Sequence, residues 1–172
     1  MSNPIVVNTK RQAPIPKDVP GARSPALEPF QTLLGTWFVK MTHVALPDTV
    51  HGQKTFEWLE GGHFLIERSH FDHPDVPDSI AVIGADETDK GLSQHYFDSR
   101  GVLRVFKVSL SEGTWKVWRD APGFSQRFTG KVSEDGNTIE VSGELSKDGV
   151  EWEHDFTHTY TRAKDRTVER GF

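Results

Sequence analysis

Hydrophobic and polar residues alternate from Thr36 to Arg162 with a period of two, which is the pattern of half-buried β-strands. Segments rich in Gly, Asp and Asn interrupt this pattern about every ten residues, as tight reversals between antiparallel strands require. No helical repeat intervenes, so parallel βαβ units are not expected. The predicted strands are Thr36–Leu46, Val50–Leu59, His63–Asp72, Ser79–Ala85, Leu92–Asp98, Val102–Ser111, Thr114–Asp120, Phe124–Ser133, Thr138–Leu145 and Val150–Arg162.

Strands joined by short hairpins in this way predict an all-β protein with a closed, antiparallel, up-and-down barrel of about ten strands. Closure removes the exposed strand edges that a long meander would otherwise present to other chains. A barrel of this size has room inside for a small ligand. Two packed sheets with a filled core are the alternative architecture.

The last predicted strand has an unusual inward face, made of aromatic rings and imidazoles: Trp152, His154, Phe156, His158 and Tyr160. Its outward face carries Glu153, Asp155 and Thr157. A slip of one residue would bury the acids and expose the rings, so this parity is the expected one. Rings interleaved with imidazoles indicate a roomy and partly polar interior, such as a ligand cavity.

The N-terminal region divides into an arm and a short helix. Residues 1–25 are rich in proline and basic residues and are predicted to be extended or disordered. The alternative is an arm that wraps the neighbouring subunit of a homodimer. A helix is predicted over Ala26–Leu34, with Ser24 as its cap and Gly35 as its end. The barrel domain then spans residues 26–165, and residues 166–172 form a tail.

Composition narrows the classes of function. The chain has 172 residues and a net charge of -5, so no basic surface for nucleic acid is expected. It has no cysteine, which excludes disulfides, thiolate metal sites and a cysteine nucleophile. The N-terminal residues lack the apolar run of a signal peptide, and no segment is apolar enough to span a bilayer. We therefore expect a cytoplasmic protein with neither a membrane nor a nucleic acid as partner.

The alternation places a set of aromatic and polar side chains inside the barrel, where they are candidates for binding a small, largely apolar or aromatic ligand. Arginine and imidazole groups among them suit a ligand with a carboxylate or a phenol. The candidate ligand-binding residues are Trp37, His43, Phe56, Trp58, Arg104, Phe106, Gln126, Trp152, His154, Phe156, His158 and Tyr160.

Two other functions are compatible with the same pattern. One is a cofactor-independent lyase, isomerase or cyclase that uses a cavity histidine as general acid or base. The other is a structural or partner-binding protein whose barrel is filled. No phosphate loop, nucleophile elbow or zinc-protease motif occurs. The cluster of His70, Asp72, His73 and Asp75 is interpreted as a polar loop, so neither a metal site nor a cofactor is predicted.

Several segments resemble a known family. Leu33-Leu34-Gly35-Thr36-Trp37 is similar to the start of calycin-type barrels, the superfamily of lipocalins, fatty-acid-binding proteins and nitrobindins. The segments 56–65, 82–86, 95–102 and 156–162 resemble DUF1579, a bacterial family of unknown function. The resemblance covers about residues 30–162 and implies a lipocalin-like barrel. The more distant similarity to nitrobindins implies haem as an alternative ligand, held by His154 or His158 of the last strand.

Overall fold

A computed structural model, which describes residues 23–86 and 91–164, forms one closed barrel of ten antiparallel strands. Each strand pairs with its neighbours in sequence, and β1 pairs with β10 to close the ring. The strands are β1 (Gly35–His43), β2 (Val50–Trp58), β3 (Leu65–Phe71), β4 (Ser79–Ala85), β5 (Leu92–Asp98), β6 (Leu103–Ser111), β7 (Thr114–Arg119), β8 (Ser125–Val132), β9 (Thr138–Ser146) and β10 (Glu153–Arg162). The predicted fold is confirmed. Residues 1–22 of the predicted arm and the whole predicted tail lie outside the described residues.

A 3₁₀ helix, Pro25–Leu33, covers one end of the barrel and contacts β4 and β6. Leu27, Phe30 and Leu33 are buried, and their spacing of three matches the three residues per turn of this helix type. Gly35 ends the helix as predicted, with a φ of 107°. Ser24 occupies the N-cap position as predicted, but its side chain makes no capping hydrogen bond. No helix within the described ranges is long and apolar enough to cross a membrane.

Two side chains fasten the helix to the barrel. The Trp37 Nε1–H donates to the Leu33 carbonyl at 2.7 Å. Arg162 donates to the carbonyls of Leu34 at 2.6 Å and Thr32 at 2.7 Å, and its guanidinium lies 4.1 Å from the centre of the Trp37 ring. These bonds satisfy carbonyls that the end of a helix leaves without partners. They hold the helix as a plug at this end of the barrel.

Strand β10 departs from simple alternation at a β-bulge between His154 and Phe156. The bulge inserts one extra residue and changes which side chains face inward before it. His154 is therefore exposed and Asp155 is buried, so the predicted orientation of both residues is wrong. Beyond the bulge, His158 and Tyr160 are buried as predicted, and Phe156 faces inward as predicted but is only half-buried.

A glycine on β9 accommodates the ring that follows the bulge. Gly143 pairs with Phe156, and a Cβ built on Gly143 would collide with the Phe156 ring. The ring thus occupies the space that a side chain at residue 143 would need. This arrangement turns Phe156 across the inner face of the sheet, where it forms part of a cavity wall.

Candidate functional site

The barrel interior is filled at the helix end and hollow at the other. Trp37, Trp115 and Tyr160 are almost fully buried at the filled end, with Trp115 edge-on to Phe56 at 5.9 Å. The hollow half encloses a cavity of about 670 Å³, within the range of small-molecule pockets. Its wall is rich in aromatic rings: Phe71, Tyr96, Phe106, Phe124, Phe128, Phe156 and Tyr160.

The structure brings seven of the twelve predicted site residues to the cavity: His43, Arg104, Phe106, Gln126, Phe156, His158 and Tyr160. The other five lie elsewhere. Trp37 and Phe56 pack in the filled half, because that half of the barrel lies beneath the helix. Trp58 is half-buried beneath the Arg23 guanidinium, 3.9 Å from its ring centre. The bulge leaves His154 outside, and Trp152 is half-buried with the Arg127 guanidinium 4.0 Å from its ring centre.

A buried ion pair lies at the inner end of the cavity, which we call the floor and define by Lys54, Glu67, Gln94 and Tyr160. The Lys54 Nζ contacts the Glu67 Oε1, and their side chains are only 11% and 6% exposed. Burial alone would lower the pKa of Lys54, but the carboxylate of Glu67 and the neighbouring Tyr160 hydroxyl raise it above its usual range. Burial raises the pKa of Tyr160 to about 12. At neutral pH the lysine is therefore charged and the phenol is not.

Two acceptor atoms on the floor have no hydrogen-bond partner among the described residues. They are the Glu67 Oε2 and the Gln94 Oε1, and both residues are at most 5% exposed. Buried polar atoms are almost always paired in folded proteins. Both residues line the cavity.

The other end of the cavity, its mouth, is formed by loop residues and the outer ends of the strands, including Arg100, Arg104 and Gln126. Arg104 donates to the Gln126 Oε1 at 2.8 Å and has no carboxylate partner among the described residues. Burial lowers the pKa of Arg104 from its ordinary value, although a guanidinium stays charged in proteins. Arg100, by contrast, is paired with Asp98 at 2.7 Å, a bond that lowers the pKa of that carboxyl to about 2.

The two cavity histidines are poorly placed for acid–base catalysis. His43 Nδ1 accepts from the Ala45 N–H at 3.0 Å, and its Nε2 lies 3.1 Å from the Asp155 carboxylate. Both ring nitrogens are thus engaged, and neither has a lone pair to offer a substrate. Burial, with a smaller contribution from the Lys54 charge, lowers the pKa of His158 to about 3. The His158 imidazole is consequently neutral at pH 7 and a weak base.

The His, Asp and Glu side chains of the barrel and its loops are the groups that could bind a metal ion. Within residues 23–86 and 91–164, no group of three or more His, Asp or Glu side chains is placed to hold a metal ion. His70, from the polar loop, lies 2.8 Å from Asp78 and 3.6 Å from Asp72. Of the two histidines that the resemblance to nitrobindins implicates, His158 lines the cavity and His154 is exposed outside it.

Several residues that line the cavity were not predicted from the sequence. The alternation of β2 placed Lys54 on the inward face beside Phe56 and Trp58, but the lysine was not selected for the site. The two faces of β3 and β5 are similarly mixed, so Glu67 and Gln94 could not be assigned inward from sequence. Asp155 entered the interior through the bulge. Only Lys54 carried a sequence signal, namely a charge on an otherwise apolar face.

Comparison with known proteins supports the fold. No family model and no curated protein matches the chain. The fold is similar to that of Rv2717c from M. tuberculosis, with 13% identity, a TM-score of 0.59, and coverage of 83% of this chain and 99% of that chain. It is also similar to a protein of unknown function from the DUF3598 family of Nostoc punctiforme, with 14% identity and a TM-score of 0.53, covering 86% of this chain and 53% of that chain. The resemblance to DUF1579 and to nitrobindins stays a prediction.

Proposed function

We propose that the protein binds a small, largely apolar or aromatic molecule in the barrel cavity. The observation that carries this proposal is the cavity of about 670 Å³, with an aromatic wall and a few polar groups at its two ends. Pockets that bind small molecules combine the same features, because apolar walls supply affinity and sparse polar groups fix orientation. The filled half beneath the helix gives the cavity a closed end.

The position of Arg104 indicates which group the ligand carries at the mouth of the cavity, namely a hydrogen-bond acceptor. Its guanidinium lies 4.7 Å from the centre of the Phe124 ring and bonds to the neutral Gln126 rather than to a carboxylate. A partly buried cation without an anionic partner favours a carboxylate or a phenolic oxygen, which would form charge-assisted hydrogen bonds. We therefore infer that the ligand presents such a group to Arg104.

Binding is favoured over catalysis by the state of the histidines. A general base needs a free lone pair and a pKa near the working pH. His43 lacks the first because both of its nitrogens are engaged. His158 lacks the second because burial holds its pKa near 3. The enzyme alternative would therefore have to use a group other than a cavity imidazole.

A fluorescent probe tests the binding function. Anilinonaphthalene sulfonate combines an aromatic body with an anionic group, and it should bind the folded protein saturably at one site. Gln126→Trp, which places a large ring in the mouth, should weaken this binding at least about tenfold, equivalent to about 1.4 kcal/mol. Gln53→Trp is the matched control, because Gln53 is exposed on the outer face of β2.

Equal binding by the wild type and Gln126→Trp would mean that the probe binds the outer surface, and the cavity would not be the site. Absence of saturable binding by the wild type would also contradict the proposal. Native mass and the absorption spectrum of the purified protein provide an independent check. A retained organic mass would support the proposal, whereas a Soret band would replace it with the haem alternative.

A further inference from the structure

The outer surface of β4, β5 and β6 is apolar, although it faces away from the cavity. Ten large apolar side chains of the described residues are exposed, and six of them lie on or beside these strands: Phe64, Ile80, Phe97, Leu103, Val105 and Trp118. We call this surface the apolar face. The outward positions of β9, by contrast, are Glu140, Ser142 and Glu144. Single exposed apolar residues are ordinary, whereas a contiguous group marks an interaction surface.

The strand register shows that the apolar face is contiguous. Ile80, Phe97 and Leu103 are paired across the three strands and form one row, near the mouth end of the barrel. Directly paired side chains on one side of a sheet lie about 5 Å apart. The next outward row, here called the middle row, is Val82, His95 and Val105.

The apolar face has a raised part and a recessed part on opposite sides of the middle row. The ridge is the row Ile80, Phe97 and Leu103, whose side chains are 43–60% exposed. On the other side of the middle row, Gly84 and Ser93 pair with each other and supply little side chain. A hollow of about 300 Å³ lies there, and its lining includes Phe64.

A second copy of this chain fits the ridge and the hollow at the same time. Phe97 of the ridge and Ser93 of the hollow are each two residues from His95 along β5. A two-fold axis that runs along the middle row turns one apolar face toward the other and lays each ridge over the opposite hollow. Both contacts then form together, as in an isologous interface in which the same surface serves both partners.

The size of the apolar face also suits a homodimer. At 38–60% exposure, its six large side chains present roughly 500 Å² of apolar surface. A stable interface buries about 800 Å² per partner, of which about 65% is apolar in homodimers, so the two areas agree. Because the barrel is closed, it has no free edge strand to pair with a peptide, and a partner has to pack on a face of the sheet.

We propose that the apolar face is the interface of a homodimer whose two-fold axis runs along Val82, His95 and Val105. In this dimer the sheets pack face to face, about 10 Å apart, and His95 of one subunit lies opposite the same residue of the other. The inference is independent of the proposed function, because these side chains lie on the outside of the barrel and the ligand site lies inside it.

Analytical ultracentrifugation of the full chain tests the interface. The wild type should sediment as a dimer at micromolar concentration. Phe97→Glu places a carboxylate on the ridge, where dimerisation would bury it without a cationic partner, and should raise the dissociation constant of the dimer at least about 100-fold, equivalent to about 2.8 kcal/mol. Phe38→Glu is the matched control, because Phe38 is 59% exposed on the outer face of β1 and pairs there with Gln53 and Thr161.

Chemical cross-linking tests the position of the axis. The chain has no cysteine, so a single introduced thiol reports on one position only. His95→Cys should be joined to a second copy by bis-maleimidoethane, since the two thiols face each other across the axis. Phe38→Cys should remain a single chain under the same treatment. Circular dichroism confirms that each variant is folded, as expected for changes at exposed positions.

The outcomes distinguish a second copy from any other occupant. A wild type that stays monomeric up to about 1 mM would overturn the proposal and would leave the apolar face to another segment or another protein. A dimer that Phe97→Glu does not weaken, or that Phe38→Glu weakens equally, would place the interface elsewhere and overturn it too. Failure of His95→Cys to cross-link in a dimeric protein would reject the axis. None of these results would affect binding of anilinonaphthalene sulfonate in the cavity, which tests the proposed function separately.

Discussion

Removing one member of the buried Lys54–Glu67 pair should destabilise the protein strongly. Lys54→Met would leave the Glu67 carboxylate buried without a cationic partner, since the side chain is 6% exposed and its second oxygen is already unpaired. Breaking a buried pair on one side typically costs about 3–5 kcal/mol. In a chain of this size each kcal/mol lowers the melting temperature by about 2–4 °C. The expected fall is therefore roughly 6–20 °C.

The double variant Lys54→Met/Glu67→Leu separates the cost of an unpaired charge from the cost of lost packing. Replacing both members of a buried pair with apolar residues is often neutral or even stabilising, so the double variant should be more stable than the single one. Arg68→Met is the surface control. Arg68 lies 3.4 Å from Glu57 and both side chains are exposed, so this change should cost at most about 1 kcal/mol.

Thermal and urea unfolding followed by circular dichroism measure these differences. We expect a marked loss of stability for the single variant, recovery in the double variant and a small loss for the control. If Lys54→Met were as stable as Arg68→Met, the pair would not be desolvated in the way the structure indicates. If the double variant were as unstable as the single one, lost packing rather than a buried charge would explain the effect.

Three further predictions concern titration and packing. The pKa of His158 in the folded protein, about 3, lies below its ordinary value of 6.5, so only the unfolded chain gains this proton as the pH falls from 7 to 5. This change of pH should therefore lower the free energy of unfolding of the wild type by about 2 kcal/mol more than that of His158→Phe, as measured by urea unfolding. Burial raises the pKa of both tyrosines of the chain, Tyr96 and Tyr160, so phenolate absorbance near pH 10.5 should be lower in the folded than in the unfolded protein; equal values would contradict their burial. Gly143→Ala should cost about 1–3 kcal/mol in the same unfolding assay because its methyl group collides with Phe156, and an unchanged stability would place that ring elsewhere.

The architecture could be predicted because it depends on local signals repeated along the chain. Alternation and glycine-rich turns fix where strands begin and end, and short hairpins leave few ways to join them. The position of the helix also follows from neighbours in sequence. Its attachment does not, because Arg162 reaches the carbonyls of Thr32 and Leu34 from the opposite end of the chain.

The candidate site was harder to predict because two of its determinants are not local. The bulge in β10 lies next to a close contact between Phe156 and Gly143, a residue of the neighbouring strand. Since side chains alternate, one inserted residue was enough to exchange His154 for Asp155 in the interior. The division of the barrel into a filled and a hollow half depends on the helix above Trp37, which alternation alone does not reveal.

Whether a polar group inside the barrel is free to contact a ligand depends on its hydrogen-bond partners, which come from other strands. Imidazoles were predicted to contact a ligand because they interrupt an aromatic face, yet both ring nitrogens of His43 are already engaged by Asp155 and Ala45. A charged residue such as Glu67 would ordinarily be assigned to a solvated face, since buried carboxylates are costly. Lys54 reduces that cost by contacting one Glu67 oxygen from β2, and the other oxygen is buried without a partner among the described residues. Since that partner lies on another strand, the pattern of β3 alone does not reveal that Glu67 is buried.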